Sequence, residues 1–116
     1  MNLDLQIEKI NSVKKEAVDL ICKAMEPELS KIILYGSCAR GDYTADSDID
    51  IALLVKCDRI EAKRYTAILA EIATKLAMKY FVVTNFVCLP DKEYEEKKSW
   101  YPYFRSIETE GEVLYG

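Results

Sequence analysis

Asp48 and Asp50 stand one residue apart in the run Asp46-Ser47-Asp48-Ile49-Asp50-Ile51, downstream of a glycine-serine pair, Gly36-Ser37. On an extended strand, residues i and i+2 share a face, so the two carboxylates project together while Ile49 and Ile51 turn the other way. Neighbouring carboxylates repel one another. A hard divalent cation such as magnesium, which takes oxygen ligands, removes that repulsion. Gly36 lets the backbone approach phosphate oxygens, amides at the start of a following helical turn aim at those oxygens, and Ser37 adds a hydroxyl donor. Together they read as a site for a magnesium-bound nucleoside triphosphate, in which the metal ties phosphates to the protein. A second ion would activate an attacking hydroxyl and stabilise the transition state at the α-phosphorus. The chain has no histidine. Without the commonest general base at neutral pH, metal-assisted transfer is the natural chemistry for these carboxylates.

The surrounding pattern supplies elements to position these groups. From Leu5, apolar residues at Ile7, Ile10, Val13, Ala17, Leu20, Ile21 and Ala24 fall in steps of three and four, which predicts a long amphipathic helix stopped by Pro27. Lys31 to Tyr35 is a short β-branched run ending at Gly36 and predicts a buried strand. Ser37 to Ser47 is a polar loop, with Gly41, Asp42, Thr44 and Asp46, that has room for a helical turn at its start. Asp48 to Val55 is the second strand, exposed where it begins and buried where it ends. Asp58 caps a helix running to about Tyr80, with Ile60, Tyr65, Ile68, Leu69, Ile72, Leu76 and Met78 as its apolar stripe. Phe81 to Leu89 is a third strand. A short helical stretch follows Pro90-Asp91, a helix runs from Pro102 to Glu110 with Gly111 as its C-terminal cap residue, and Val113-Leu114-Tyr115 closes as an apolar tail. The expected class is α/β (α+β): a small mixed β-sheet with helices packed on it.

Composition bounds the function. The chain of 116 residues fits a single domain, 1–116, with no room for a second catalytic one. A net charge of −4 disfavours wrapping a nucleic-acid backbone, since phosphate affinity comes from clustered Lys and Arg. Cys22, Cys38, Cys57 and Cys88 are scattered, without metal-ligand spacing, and read as reduced thiols of a cytoplasmic protein. No apolar run spans a bilayer and the N-terminus lacks a signal-peptide pattern, so membrane insertion and secretion are not expected.

Gly36-Ser37, ten intervening residues and then Asp48-x-Asp50 resemble the signature of the DNA polymerase β-like nucleotidyltransferase superfamily. The Arg40-Gly41 pair, the apolar run after Asp50 and the ending from Pro102-Tyr103-Phe104 to Val113-Leu114-Tyr115 resemble its minimal single-domain branch. The resemblance implies the polymerase β-like fold, Mg2+ as cofactor and ATP as substrate. It implies an antitoxin that transfers AMP to a tyrosine hydroxyl of a HEPN-domain toxin. On that reading Asp48 and Asp50 are catalytic and bind the metal, Gly36 and Ser37 hold the phosphates, and Arg40 lies near the nucleotide. Two alternatives stay open: a module that neutralises its partner by steric binding, and a small-molecule nucleotidyltransferase, for which a homodimer would build the acceptor pocket.

Some residues carry a structural reading beside the functional one. The superfamily often places a third carboxylate on the next strand, where this chain has Asn85, which cannot serve as an anionic ligand or general base. Asp46 is a further candidate ligand or a loop cap. Arg40 is a nucleotide contact or a surface partner of Asp42 or Asp46. Cys38 is a small filler rather than a nucleophile. Tyr94, Trp100, Tyr101, Tyr103 and Phe104 form an aromatic cluster, core where buried and interface where exposed.

Overall fold

The computed structural model describes residues 3–41 and 47–116. Asp42, Thr44 and Asp46, weighed above as loop, capping and ligand residues, lie outside the described residues. Four strands form one sheet in the order β3-β2-β1-β4, with β1 at Leu29–Tyr35, β2 at Ile49–Val55, β3 at Thr84–Pro90 and β4 at Glu112–Tyr115. β1 runs antiparallel to β2 and to β4, whereas β2 and β3 are parallel. The sheet is mixed, as expected.

One face packs on α1 (Leu3–Met25) and α4 (Thr66–Tyr80). Val13, Ala17, Ile21 and Met25, each four residues on from the last, are fully buried from α1. They meet Leu69, Ile72 and Leu76 of α4 and the inward side of β1 and β2. The other face packs on α5 (Asp91–Lys97) and α6 (Pro102–Glu110) through Ile33, Ala52, Leu54, Leu89, Tyr94, Phe104 and Ile107. Because β2 is buried on both sides, its run Ile51 to Val55 is apolar without alternation. Among the described residues no helix is long and apolar enough to cross a membrane.

Three sequence expectations are corrected. The segment from Asp58 to Tyr80 is not one helix: α3 (Arg59–Ala62) ends in a 3-10 turn, Lys63–Tyr65, before α4. Asp58 does cap it, in a reciprocal box with Glu61. The break falls where Arg64 and Tyr65 both bind Glu28. That tertiary anchor outweighs helix propensity. Ile60, on the separate α3, and Met78, on the face of α4 away from Leu69, Ile72 and Leu76, stand 78% and 76% exposed rather than on the apolar stripe. The third strand begins at Thr84, because Phe81 ends α4 in the left-handed region at φ 57. The apolar tail is a strand, β4, paired with β1 and tied to α1 by Lys14 Nζ donating to Glu112 at 2.8 Å. Gly111 follows α6 as expected, yet its backbone is extended. Glycine is required there for room, since a Cβ would lie 2.3 Å from the Ile107 carbonyl oxygen and 2.5 Å from Ile33 Cγ2.

The α5/α6 layer is fastened by the buried Tyr94, whose hydroxyl donates to Glu108 Oε2 at 2.7 Å. That hydrogen bond, helped by the nearby Lys98 charge, holds the Glu108 carboxyl below its ordinary range. Tyr94→Phe should lower stability by about 0.5–1 kcal/mol at neutral pH, the low end because Glu108 is partly solvated. A depressed carboxyl stabilises the fold above its unfolded-state pKa and loses that contribution as the pH falls through the folded-state value. The deficit measured by urea titration should therefore shrink on acidification.

Candidate functional site

The sheet brings three residues into one row. Tyr35 is the register partner of Asp50 across β1 and β2, and Asp50 is the partner of Asn85 across β2 and β3. Register partners share a face. The row lies on the α5/α6 side, where β1 ends and β2 and β3 begin. Asp48, immediately before β2, is exposed, and Asp50 is half-buried. The expected convergence of the two carboxylates is found, and Asn85 completes it: its Nδ2 donates to Asp48 Oδ2 at 3.2 Å and to Asp50 Oδ1 at 3.1 Å. One amide hydrogen-bond donor thus bridges two negative charges.

Gly36 closes against this pair. At φ 79 and ψ −156 it occupies backbone space essentially reserved for glycine, and a Cβ would stand 2.7 Å from Asp50 Oδ2. The backbone then turns into α2, Ser37–Arg40, where the amides of Ala39 and Arg40 donate to the Gly36 carbonyl at 3.1 and 3.2 Å. Gly41, at φ 81, ends this turn with the left-handed conformation. Gly36 is thereby beside Asp50, as the sequence suggested, and Ser37 follows it as the first residue of α2.

Arg40 has a partner that sequence did not indicate: Nη1 donates to Glu110 Oε2 of α6 at 3.3 Å. Both side chains are nearly half exposed, so the pair contributes little to stability. It does tie α2 to α6. Cys38 is buried, and its thiol donates to the Asp48 carbonyl at 3.5 Å. Burial, followed by the Asp50 charge, pushes that thiol up, which suits the packing reading over a nucleophile. All four cysteines are free thiols.

The pairing of Tyr35 with Tyr103 at this site is not indicated by the sequence. Their hydroxyls are 2.9 Å apart, and their rings meet edge-on with centroids 6.0 Å apart. Burial, then Tyr103, then the Asp50 charge push the Tyr35 hydroxyl above the ordinary tyrosine range. It stays protonated beside the carboxylates. A partial signal exists: Tyr35 adjoins Gly36, but its placement opposite Asp50 requires the β1/β2 register. The aromatic cluster divides as anticipated, with Tyr94 and Phe104 buried and Trp100, Tyr101 and Tyr103 exposed.

Comparison with known proteins agrees with this geometry. The family described as the nucleotidyltransferase domain matches residues 15–111. A protein of Methanocaldococcus jannaschii, provisionally named a protein adenylyltransferase, is 37% identical over 101 residues, covering 87% of this chain and 93% of its own. A second protein of that organism with the same provisional name is 34% identical over 79 residues, covering 68% of this chain and 74% of its own. Among solved structures, a chain of a toxin-antitoxin complex with AMP-PNP has a TM-score of 0.59 at 27% identity, over 89% of this chain and 73% of its own. A chain of the complex of a tri-AMPylated Shewanella oneidensis HEPN toxin with an MNT antitoxin has a TM-score of 0.54 at 25% identity, over 91% of this chain and 71% of its own. The chain therefore belongs to the nucleotidyltransferase domain family, as an enzyme that works on a nucleotide.

Proposed function

We propose that this protein is a cytoplasmic, magnesium-dependent antitoxin that transfers AMP from ATP to a tyrosine hydroxyl of a HEPN-domain toxin. The observation that carries the reading is the convergence of Asp48 and Asp50 on one bridging donor, with Gly36 packed against Asp50. The likeness to an AMP-PNP complex, to a tri-AMPylated toxin complex and to relatives named for protein adenylylation points the same way.

The residues fit magnesium. Carboxylate oxygens that already share a positively polarised amide are hard anionic donors set to share a cation, and Asp48 and Asp50 would hold it. Bound there, the metal supplies charge neutralisation at the phosphates and Lewis-acid activation. Gly36 and the α2 turn offer backbone donors and Ser37 a hydroxyl to the phosphate end, while Arg40 stands at the close of that turn. In the transfer the tyrosine oxygen bonds to the α-phosphorus, the bond to pyrophosphate breaks, and the hydroxyl proton passes to a carboxylate. The acceptor comes from the partner.

Labelled ATP, magnesium and a cognate HEPN-domain protein provide the test. The toxin should gain AMP on tyrosine, and no mass gain with magnesium present would sink the reading. A second reading has its own observation: Asn85 stands where a third carboxylate would serve the acceptor. Simple occlusion predicts a complex that forms and inhibits equally well without ATP. Asn85→Asp is informative for both. It exchanges the bridging donor for a third negative charge, so the metal-free protein should lose up to about 1 kcal/mol, and added magnesium should restore melting temperature more than it does in the wild type.

A further inference from the structure

β3 is an edge strand, and its free side leads directly to the carboxylates. The Ile49 amide donates to the Val83 carbonyl at 2.8 Å, which fixes the phase of the parallel ladder. The backbone groups of Asn85 and Val87 face β2, and those of Thr84, Phe86 and Cys88 point outward. Pro90, which has no amide hydrogen, closes the row. A cavity flanks this edge on each face. One of about 540 Å³ lies against α4 and is floored by Thr84, Phe86 and Cys88. The other, of about 360 Å³, lies against α6 and is floored by Val87 and Leu89. A strand added to β3 would send alternate side chains into these two cavities in turn.

Three further features point to an occupant. Thr84 is 7% exposed and lines the first cavity, yet its Oγ1 has no hydrogen-bond partner among the described residues. Phe81 holds a left-handed backbone, φ 57, while 86% exposed, and Val83 is 56% exposed. The left-handed backbone serves to end α4, with the Phe81 amide donating to the Ala77 carbonyl at 2.9 Å, but the exposed ring belongs to neither apolar core. Lys63 lines the first cavity, which favours an acidic side chain on whatever binds there, whereas Arg59, at the rim of both cavities, is already paired with Glu93 at 2.7 Å.

In-line displacement then fixes direction. With the phosphate end at Gly36 and Ser37 on the β1 side, the attacking hydroxyl must enter opposite the departing pyrophosphate, from the β3 side. We propose that an extended segment of the acceptor protein adds to the free edge of β3, packs on Phe81 and Val83, and so delivers its tyrosine over Asn85. This rests on the transfer reading for its direction.

The test uses the full chain and the HEPN protein of the transfer assay. It measures KM for each substrate, affinity between the two proteins by calorimetry without ATP, and amide exchange. Phe81→Asn keeps a residue that tolerates the left-handed backbone, Val83→Ser removes an exposed apolar group, and Thr84→Val removes the orphan hydroxyl at constant shape. The Phe81→Asn/Val83→Ser variant should raise both the acceptor KM and the Kd about tenfold or more while leaving the KM for ATP unchanged. Thr84→Val should weaken the complex without lowering the melting temperature. The amides of Thr84, Phe86 and Cys88 should gain exchange protection in the complex.

An unchanged acceptor KM and Kd, unprotected edge amides, or no binding at all would overturn the proposal. So would a dimer of this chain alone that the same variants dissociate, since a second copy would then own the edge. If the proteins bind through β3 but no AMP is transferred, docking stands and the transfer reading falls.

Discussion

Changing Asp48 and Asp50 together to asparagine should leave the protein as stable as before, or more stable by about 0.5 kcal/mol at low salt, while lowering AMP transfer more than about a hundredfold. Asp48 is exposed and Asp50 half-buried. Each sits within hydrogen-bond reach of the same Asn85 nitrogen, so the two charges are close neighbours with only one neutral donor between them. Removing both charges relieves repulsion and leaves amides that still hydrogen-bond to Asn85. Outer-shell groups of metal sites already cost about 10- to 100-fold when lost, and the ligands themselves cost more. Thermal unfolding with and without magnesium, alongside single-turnover transfer, checks both halves. A variant that melts like the wild type and transfers at the same rate would remove the carboxylates from the mechanism.

Gly36→Ala should be damaging in a different way. The φ, ψ pair of 79 and −156 costs a non-glycine residue about 1–3 kcal/mol, and the new methyl would press to 2.7 Å from Asp50 Oδ2. The loss should appear in urea denaturation and in activity together, because the atom displaced is a carboxylate oxygen of the site. Gly41→Ala is the control. Gly41 also has positive φ, 81, but a Cβ there would meet nothing within 4 Å among the described residues, so the change should cost stability by about 1 kcal/mol and spare transfer. Equal loss of transfer in the two variants would mean that turn geometry alone, and not the approach to Asp50, explains Gly36.

The parts of this molecule governed by local spacing were legible from sequence. The α1 face was written in steps of three and four, and the joint projection of Asp48 and Asp50 followed from strand alternation. Asn85 was picked out through the family resemblance, as the position of a third carboxylate on the next strand, and the parallel register does set it opposite Asp50. What escaped depends on contacts between distant segments. The break at Lys63–Tyr65 needs Glu28, which lies ahead of β1. β4 reads as a tail because four residues hold little periodicity, and only pairing with β1 makes them a strand. The Tyr35-Tyr103 pair joins a strand to a helix near the opposite end of the chain. Arg40 also meets Glu110, which reaches it through the packing of α6.

The mixed sheet also sets the order in which the site is completed during folding. β1 and β2 are antiparallel and close in sequence, so Tyr35, Gly36 and Asp50 meet through a short loop closure. Asn85 arrives only when the chain has crossed through α3 and α4 to lay β3 parallel to β2, a slower, more non-local step. Until then the two aspartates lack their bridging amide. The carboxylate pair is therefore expected to become bridged late in folding, and a φ-value near zero at Asn85 would show it.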